Sequence, residues 1–238
     1  MTDALSTIWN DVVGTQPAPA VAVIWATALA ALVVVGYQRT WGVTRHVVTI
    51  AHEGAHGVAA LLSGRKLAGI RLHSDSSGVT VSKGKPRGFG MVVTAAAGYV
   101  GAGLLGLAAS YLLHRGHALG VLWAVILLLA LLLLQIRNFN GLYVVLVAGV
   151  LIFAVSWWGS ERVQSFTAYA GTWFLLLAAP RTVLELQQSR RRGRAPTSDA
   201  DQLARLTKIP GIVWVGFFLL VDVGALVLGG RWILAPVG

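Results

Sequence analysis

Apolar residues fill this chain in long blocks instead of recurring at spaced positions. Seven blocks stand out, at 20–37, 43–62, 89–113, 118–135, 142–158, 166–186 and 212–234. Each is close to the ~20 residues a helix needs to cross a bilayer, with the second and sixth the least apolar. The pattern predicts an all-α polytopic membrane protein of about seven transmembrane helices. Two polar stretches interrupt it. After the second block, "GIRLH" and "GVTVS" flank "SDSSG". Alternating β-branched residues around a turn-forming cluster predict a small β-hairpin. Before the last block comes "LQQSRRRGRAPTSDADQLARLTKIPG", polar and basic. Thr197 or Ser198 is placed to cap a short helix, with Asp201 in its first turn, and Pro210 and Gly211 end it. With no internal repeat, residues 1–238 are expected to form one membrane domain, with a basic loop at 190–210.

Composition strengthens this picture. The chain is 56% hydrophobic and 12% charged, against about 25% charged for soluble domains. It has no cysteine, which excludes disulfides, thiolate metal sites and a cysteine nucleophile. Any metal must therefore be held by His, Asp, Glu or a neutral oxygen. The N-terminal "MTDALSTIWNDVV" carries acids and lacks the basic start of a cleaved signal peptide.

The formal net charge is +10. No nucleic-acid-binding motif accompanies that charge, so no nucleic-acid partner is expected. The basic residues instead sort by loop. Arg65, Lys66, Arg71, Lys83, Lys85 and Arg87 follow the second block, and Arg137 lies between the fourth and fifth. Arg190, Arg191, Arg192, Arg194, Arg205 and Lys208 follow the sixth, with Arg181 near its end. The opposite side receives only Arg39, Arg45, Arg115, Arg162 and Arg231 of the 19 Lys and Arg residues. The positive-inside rule then places the rich side in the cytoplasm, with a cytoplasmic N-terminus and an external C-terminus.

Against this apolar background, "TIAHEGAHGVAAL" at 49–61 is out of place. His52 and His56 are four residues apart, so a helix puts both imidazoles on one face. Two nitrogen donors at that spacing suit one tetrahedral zinc ion, and Glu53 is placed to act as general base on a water. This is HExxH, the pattern of zinc-dependent peptidases. Gly54, Ala55 and Gly57 leave room for a close neighbouring helix. The remaining histidines, His46, His73, His114 and His117, lie off this face or in loops and turns. Gly98, Gly101 and Gly106 read as helix-packing positions. Ionisable residues within a membrane usually mark function.

An HExxH inside a membrane span, followed by a basic hairpin and further spans, resembles the site-2 protease family of intramembrane zinc metallopeptidases. "HEGAHGVAALLSGRKLAGIRLHSDSSGVTVSKG" is similar to that family's early core, especially in a small bacterial and plant branch. "AAGYVGAGLLG" at 96–106 fits the same branch. The resemblance covers 43–106 well and the rest more loosely. It implies hydrolysis of peptide bonds in membrane-protein substrates, a Zn2+ cofactor and a multi-pass place in a bacterial plasma membrane. It also implies a third zinc ligand, which other family members take from an Asp-Gly in a later span. Here the positional match is Asn140-Gly141, and an amide is a poor zinc ligand because it brings no negative charge. A Ser-Asp-Ala stretch before the last span resembles a feature of the small branch, making Asp199 the first choice and Asp201 the second. Asp222, alone in "FLLVDVGALVL", is a third candidate. Acids in the first turn of a helix need no metal to explain them. A second class of function therefore stays open, a non-catalytic membrane scaffold or regulator that keeps the metal-site residues for structure. A transporter ranks last, since nothing resembles paired broken helices. Substrate identity and oligomeric state are left open.

Overall fold

A computed structural model describes residues 2–235. Among these residues nine helices and one hairpin follow in order: α1 (Thr2–Val13), α2 (Val21–Gly36), α3 (Gln38–Leu62), β1 (Lys66–Leu72), β2 (Gly78–Lys83), α4 (Phe89–His114), α5 (Ala118–Leu133), α6 (Phe139–Trp158), α7 (Glu161–Arg191), α8 (Asp199–Thr207) and α9 (Gly211–Leu234). Every one of the seven apolar blocks is helical. Their lengths and compositions differ more than the sequence pattern implied. Three helices, α4, α6 and α9, are long and apolar enough to cross a membrane. The pair α2 and α3 passes the same test together, but is bent by 100° at the break between them, which makes four candidate spans. At about 1.5 Å per residue, the 16-residue α5 extends only about 24 Å, short of the ~30 Å hydrocarbon core. Polar residues dilute α7, which runs for 31 residues, well past the expected 166–186.

α4 is the centre of the bundle and packs against α3, α7 and α9. Small residues permit this. A Cβ on Gly101 would run into Ala55 of α3, and one on Gly106 would sit 3.0 Å from the Leu176 side chain of α7. Both serve packing, as their spacing suggested. On the far side of α3, Gly57 faces the hairpin, where a Cβ would meet Leu67 at 3.3 Å and Ile70 at 3.4 Å.

The bend before α3 is fixed by side chains. The Thr40 hydroxyl donates to the carbonyls of Val34 (2.8 Å) and Tyr37 (2.9 Å), which helps satisfy backbone freed by the break. Trp41, fully buried, donates its indole N–H to Glu185 of α7 at 2.7 Å, and the Arg181 guanidinium lies 4.4 Å above the same ring.

β1 and β2 pair antiparallel, with Ile70 opposite Thr80 and Leu72 opposite Gly78. Asp75 stabilises the turn. Its Oδ1 accepts from the Ser77 backbone N–H (3.0 Å) and hydroxyl (2.6 Å), and these bonds hold the carboxyl below the usual carboxylate range. The other edge of β1 is occupied by the segment after α5. Ile70 donates to the Gln135 carbonyl at 2.8 Å, and Arg137 donates to the Ile70 carbonyl at 2.9 Å. The sheet ends at β2 on its other side, and β2 lies against α3.

α8 is capped by Ser198, one of the two expected residues, and ends at Lys208 in a left-handed conformation (φ 61°). Pro210 then leads into α9. α1 was not expected as a helix. It packs on α5, where Trp123 Nε1 donates to Asp11 at 3.3 Å.

Candidate metal centre

His52 and His56 project from one face of α3, as their spacing requires. Their Nε2 atoms are 3.1 Å apart. Asp199, the first residue of α8, brings its Oδ2 to 3.2 Å from each. The three atoms form a nearly equilateral triangle. Tetrahedral coordination with bonds of about 2.0–2.1 Å holds its ligand atoms about 3.3 Å apart, so the triangle has the size a zinc ion imposes. Two imidazole nitrogens and one carboxylate oxygen are also a donor set that zinc favours. Among the described residues this is the one group of His, Asp and Glu side chains that converges in this way.

The surroundings fix the rings. His56 Nδ1 lies 2.6 Å from the Thr94 carbonyl of α4, so it carries a proton and turns Nε2 toward His52 and Asp199. The His52 ring packs edge-on to Tyr99, with centroids 4.7 Å apart, and Tyr99 stacks on Phe218 of α9 at 5.3 Å. Gly98 serves helix packing, as expected, but against side chains of α3: a Cβ there would enter the space of both imidazoles. α4 can approach the two rings only without that carbon. Burial alone would raise the Asp199 carboxyl, but its hydrogen bonds with His52 and His56 outweigh it. The group is held well below the usual carboxylate range.

Glu53 is buried beside these residues and takes no part in the triangle. Its Oε2 accepts the Thr80 hydroxyl of β2 at 2.6 Å. A Cβ on Gly78 would overlap the Glu53 carboxyl group, so the start of β2 passes directly across it. Glu53, the two histidines and Asp199 share one pocket, whose walls come from β2, α4 and the start of α8.

The other candidates lie elsewhere. Asn140 donates to the Leu72 carbonyl at 3.1 Å, beside Asn138, which clasps the backbone of the same residue. Both asparagines fasten the end of β1 to α6. Asp201 faces away from the pocket, toward Arg190, and its pairing with that guanidinium keeps its carboxyl below the usual range. Asp222 is fully buried against Gly103 of α4, and neither carboxyl oxygen has a hydrogen-bond partner among the described residues. His73 pairs with Ser77, His114 with the Trp232 carbonyl and His117 with the Gly14 carbonyl.

Sequence reasoning did not single out Thr80, Thr94, Tyr99 or Gly78. Thr80 had a legible signal, since it alternates with Val79 and Val81 along β2. The Thr94 contribution is a backbone carbonyl, which no side-chain pattern reports.

No curated protein and no solved structure shows a significant match to this chain. A family profile described as Peptidase M50B-like does match it, over residues 25–229, a range that takes in α3, the hairpin, α4 and α8. The HExxH helix, a hairpin laid over its glutamate and a carboxylate returned to its histidines are thus parts of one matched region, and the chain belongs to the Peptidase M50B-like family, the site-2 protease family.

Proposed function

We propose that the chain is a zinc-dependent intramembrane peptidase that hydrolyses peptide bonds of membrane-protein substrates. The observation that carries this reading is the convergence of His52, His56 and Asp199 within 4.8 Å, with Glu53 in the same pocket. His52, His56 and Asp199 are the residues that would hold the ion. Zinc bound there supplies Lewis acidity toward both the attacking water and the scissile carbonyl. Glu53 is the general base. The Thr80 hydroxyl anchors its Oε2, which leaves Oε1 as the acceptor for a proton from water. The same carboxyl then returns the proton to the leaving nitrogen.

A substrate helix has its carbonyls tied into its own hydrogen bonds and must unwind before cleavage. Among the described residues β2 has no strand on its outer edge, and beside Glu53 it offers that edge to such an extended segment, as sheet edges do in β-augmentation. The finer topology is seven membrane-embedded helices in one domain, with the hairpin and the 190–210 loop on the cytoplasmic side. β2 and the start of α8 line one pocket, so both basic loops lie on one side of the molecule, which supports this arrangement. The resemblance of the core implies a bacterial plasma membrane as its location.

Glu53→Gln tests the reading. It keeps both imidazoles and the side-chain shape but removes the base, and losing general acid–base catalysis costs about 10²–10⁴-fold in rate. Membrane proteomes of cells carrying wild type or Glu53→Gln at matched expression are compared. Truncated membrane-protein fragments present only with wild type are expected. Identical fragment sets, with zinc retained and the native phenotype rescued by Glu53→Gln, would favour a non-catalytic scaffold.

A further inference from the structure

The two acids of "SDAD" have different partners, and the difference points to a residue outside the ligand set. Asp199 and Asp201 are two positions apart at the start of α8, so a helix directs them about 200° away from each other. Asp199 meets the two histidines. Asp201 meets Arg190, in the last turn of α7. Arg190 Nε lies 3.2 Å from each Asp201 carboxyl oxygen, and its terminal nitrogen lies 2.7 Å from Oδ1. The Ser198 hydroxyl adds a bond to Asp201 Oδ2 at 2.6 Å. Arg190 also donates to Gln187 of its own helix at 3.2 Å, and it fills the space beside the first residue of α9, where a Cβ on Gly211 would overlap its guanidinium. One side chain thus ties α7 to α8 and packs on the start of α9. The contact is partly buried and forked, the geometry in which an arginine–carboxylate pair fixes orientation as well as proximity.

Building on the zinc reading above, we propose that Arg190 is a positioning residue of the metal centre: by gripping Asp201 it fixes the rotation of α8 that turns Asp199 onto His52 and His56. Apolar burial of Ala200 and Leu203 holds α8 against the bundle. The forked pair adds a directional contact to that packing. A rotation that displaced Asp199 from the triangle would have to break that contact.

The test uses full-length protein in detergent. Zinc affinity is measured by competition with a chelator, and the ligand field by the visible spectrum of the Co2+-loaded form. Arg190→Gln is expected to weaken zinc binding by about 10–100-fold, the usual effect of removing a group that orients a ligand. It should also alter the Co2+ bands in the direction seen for Asp199→Asn. Arg190→Lys keeps the charge without the fork and should fall between Arg190→Gln and wild type. Wild-type affinity and an unchanged Co2+ spectrum in Arg190→Gln would overturn the proposal. If Arg190→Gln fails to fold, Arg190→Lys decides: weakened affinity supports the clamp, and wild-type affinity and spectrum overturn it. Should the wild type itself bind neither ion, the zinc reading falls and the clamp with it. If wild type binds and the variants bind equally, the clamp alone falls.

Discussion

The two halves of the candidate site are built by different means. On α3, the spacing of His52 and His56 places their rings on one face wherever a helix forms, and a single carbonyl, Thr94, orients one of them. On α8, Asp199 arrives from 143 positions further along the chain than His56 and from a nine-residue helix. It has no local pattern to hold it and depends on the capping of Ser198, the grip of Arg190 and the burial of Leu203. The first half is secured by helix geometry. The second is secured only when α7, α8 and α9 have assembled. A ligand set divided in this way should respond to damage differently on its two sides.

The largest expected effect breaks the α3 half. His56→Ala should reduce zinc in purified protein from about one ion per chain to background, read by elemental analysis. Unchanged metal content in that variant would remove the whole comparison. Next comes Gly98→Ala, which drives a methyl group into both imidazoles. It should abolish or severely weaken zinc binding, whereas Gly101→Ala, one turn along α4, overlaps only Ala55. That second variant should lower the melting temperature through an overpacking cost of about 1–3 kcal/mol while keeping its zinc. Equal metal loss in both variants would mean that α4 acts on the site through packing alone.

The α8 half should fail more gradually. Asp199→Asn keeps the shape of the ligand and removes its charge, so the two imidazoles should retain weakened zinc. The loss should exceed the 10–100-fold typical of groups that only orient a ligand. A chelator titration of Asp199→Asn beside Asp201→Asn measures it, and equal losses would leave Asp199 no closer to the metal than its neighbour. The smallest effect belongs to Asn140→Ala. It removes one hydrogen bond to the Leu72 carbonyl. Zinc affinity should stay at the wild-type value, and stability should fall by about 1 kcal/mol. Zinc loss in Asn140→Ala would return that residue to the candidate ligands.

The sequence showed much of this in advance. Seven apolar blocks became seven helices because burying a backbone among apolar side chains, or in lipid, requires internal hydrogen bonds. The hairpin was legible from its alternation and from the "SDSSG" turn, and the cap of α8 was narrowed to Thr197 or Ser198, of which the structure uses Ser198. Span strength was less legible. Hydrophobicity along the chain located α3 and α5, but α5 is short and the bend between α2 and α3 is a three-dimensional fact. Gly98 shows the same limit at one residue. Its spacing suggested helix packing, and only the position of α3 shows that the missing carbon makes room for imidazoles.

What the sequence determined by itself is whatever depends on neighbours a few positions away: the helical blocks, the hairpin, the shared face of His52 and His56, and the place of Glu53 between them. Tertiary structure decided what depends on distant segments meeting. It chose Asp199 over Asp201, Asn140 and Asp222 as the partner of the two histidines, and it laid β2 across Glu53 with Thr80 on its carboxyl group. The reason is physical. A helix repeats every 3.6 residues whatever surrounds it, so contacts along one face are written in the local order of residues. A carboxylate meets a distant imidazole only where packing, capping and ion pairing place their helices together, and those terms are summed over the whole bundle.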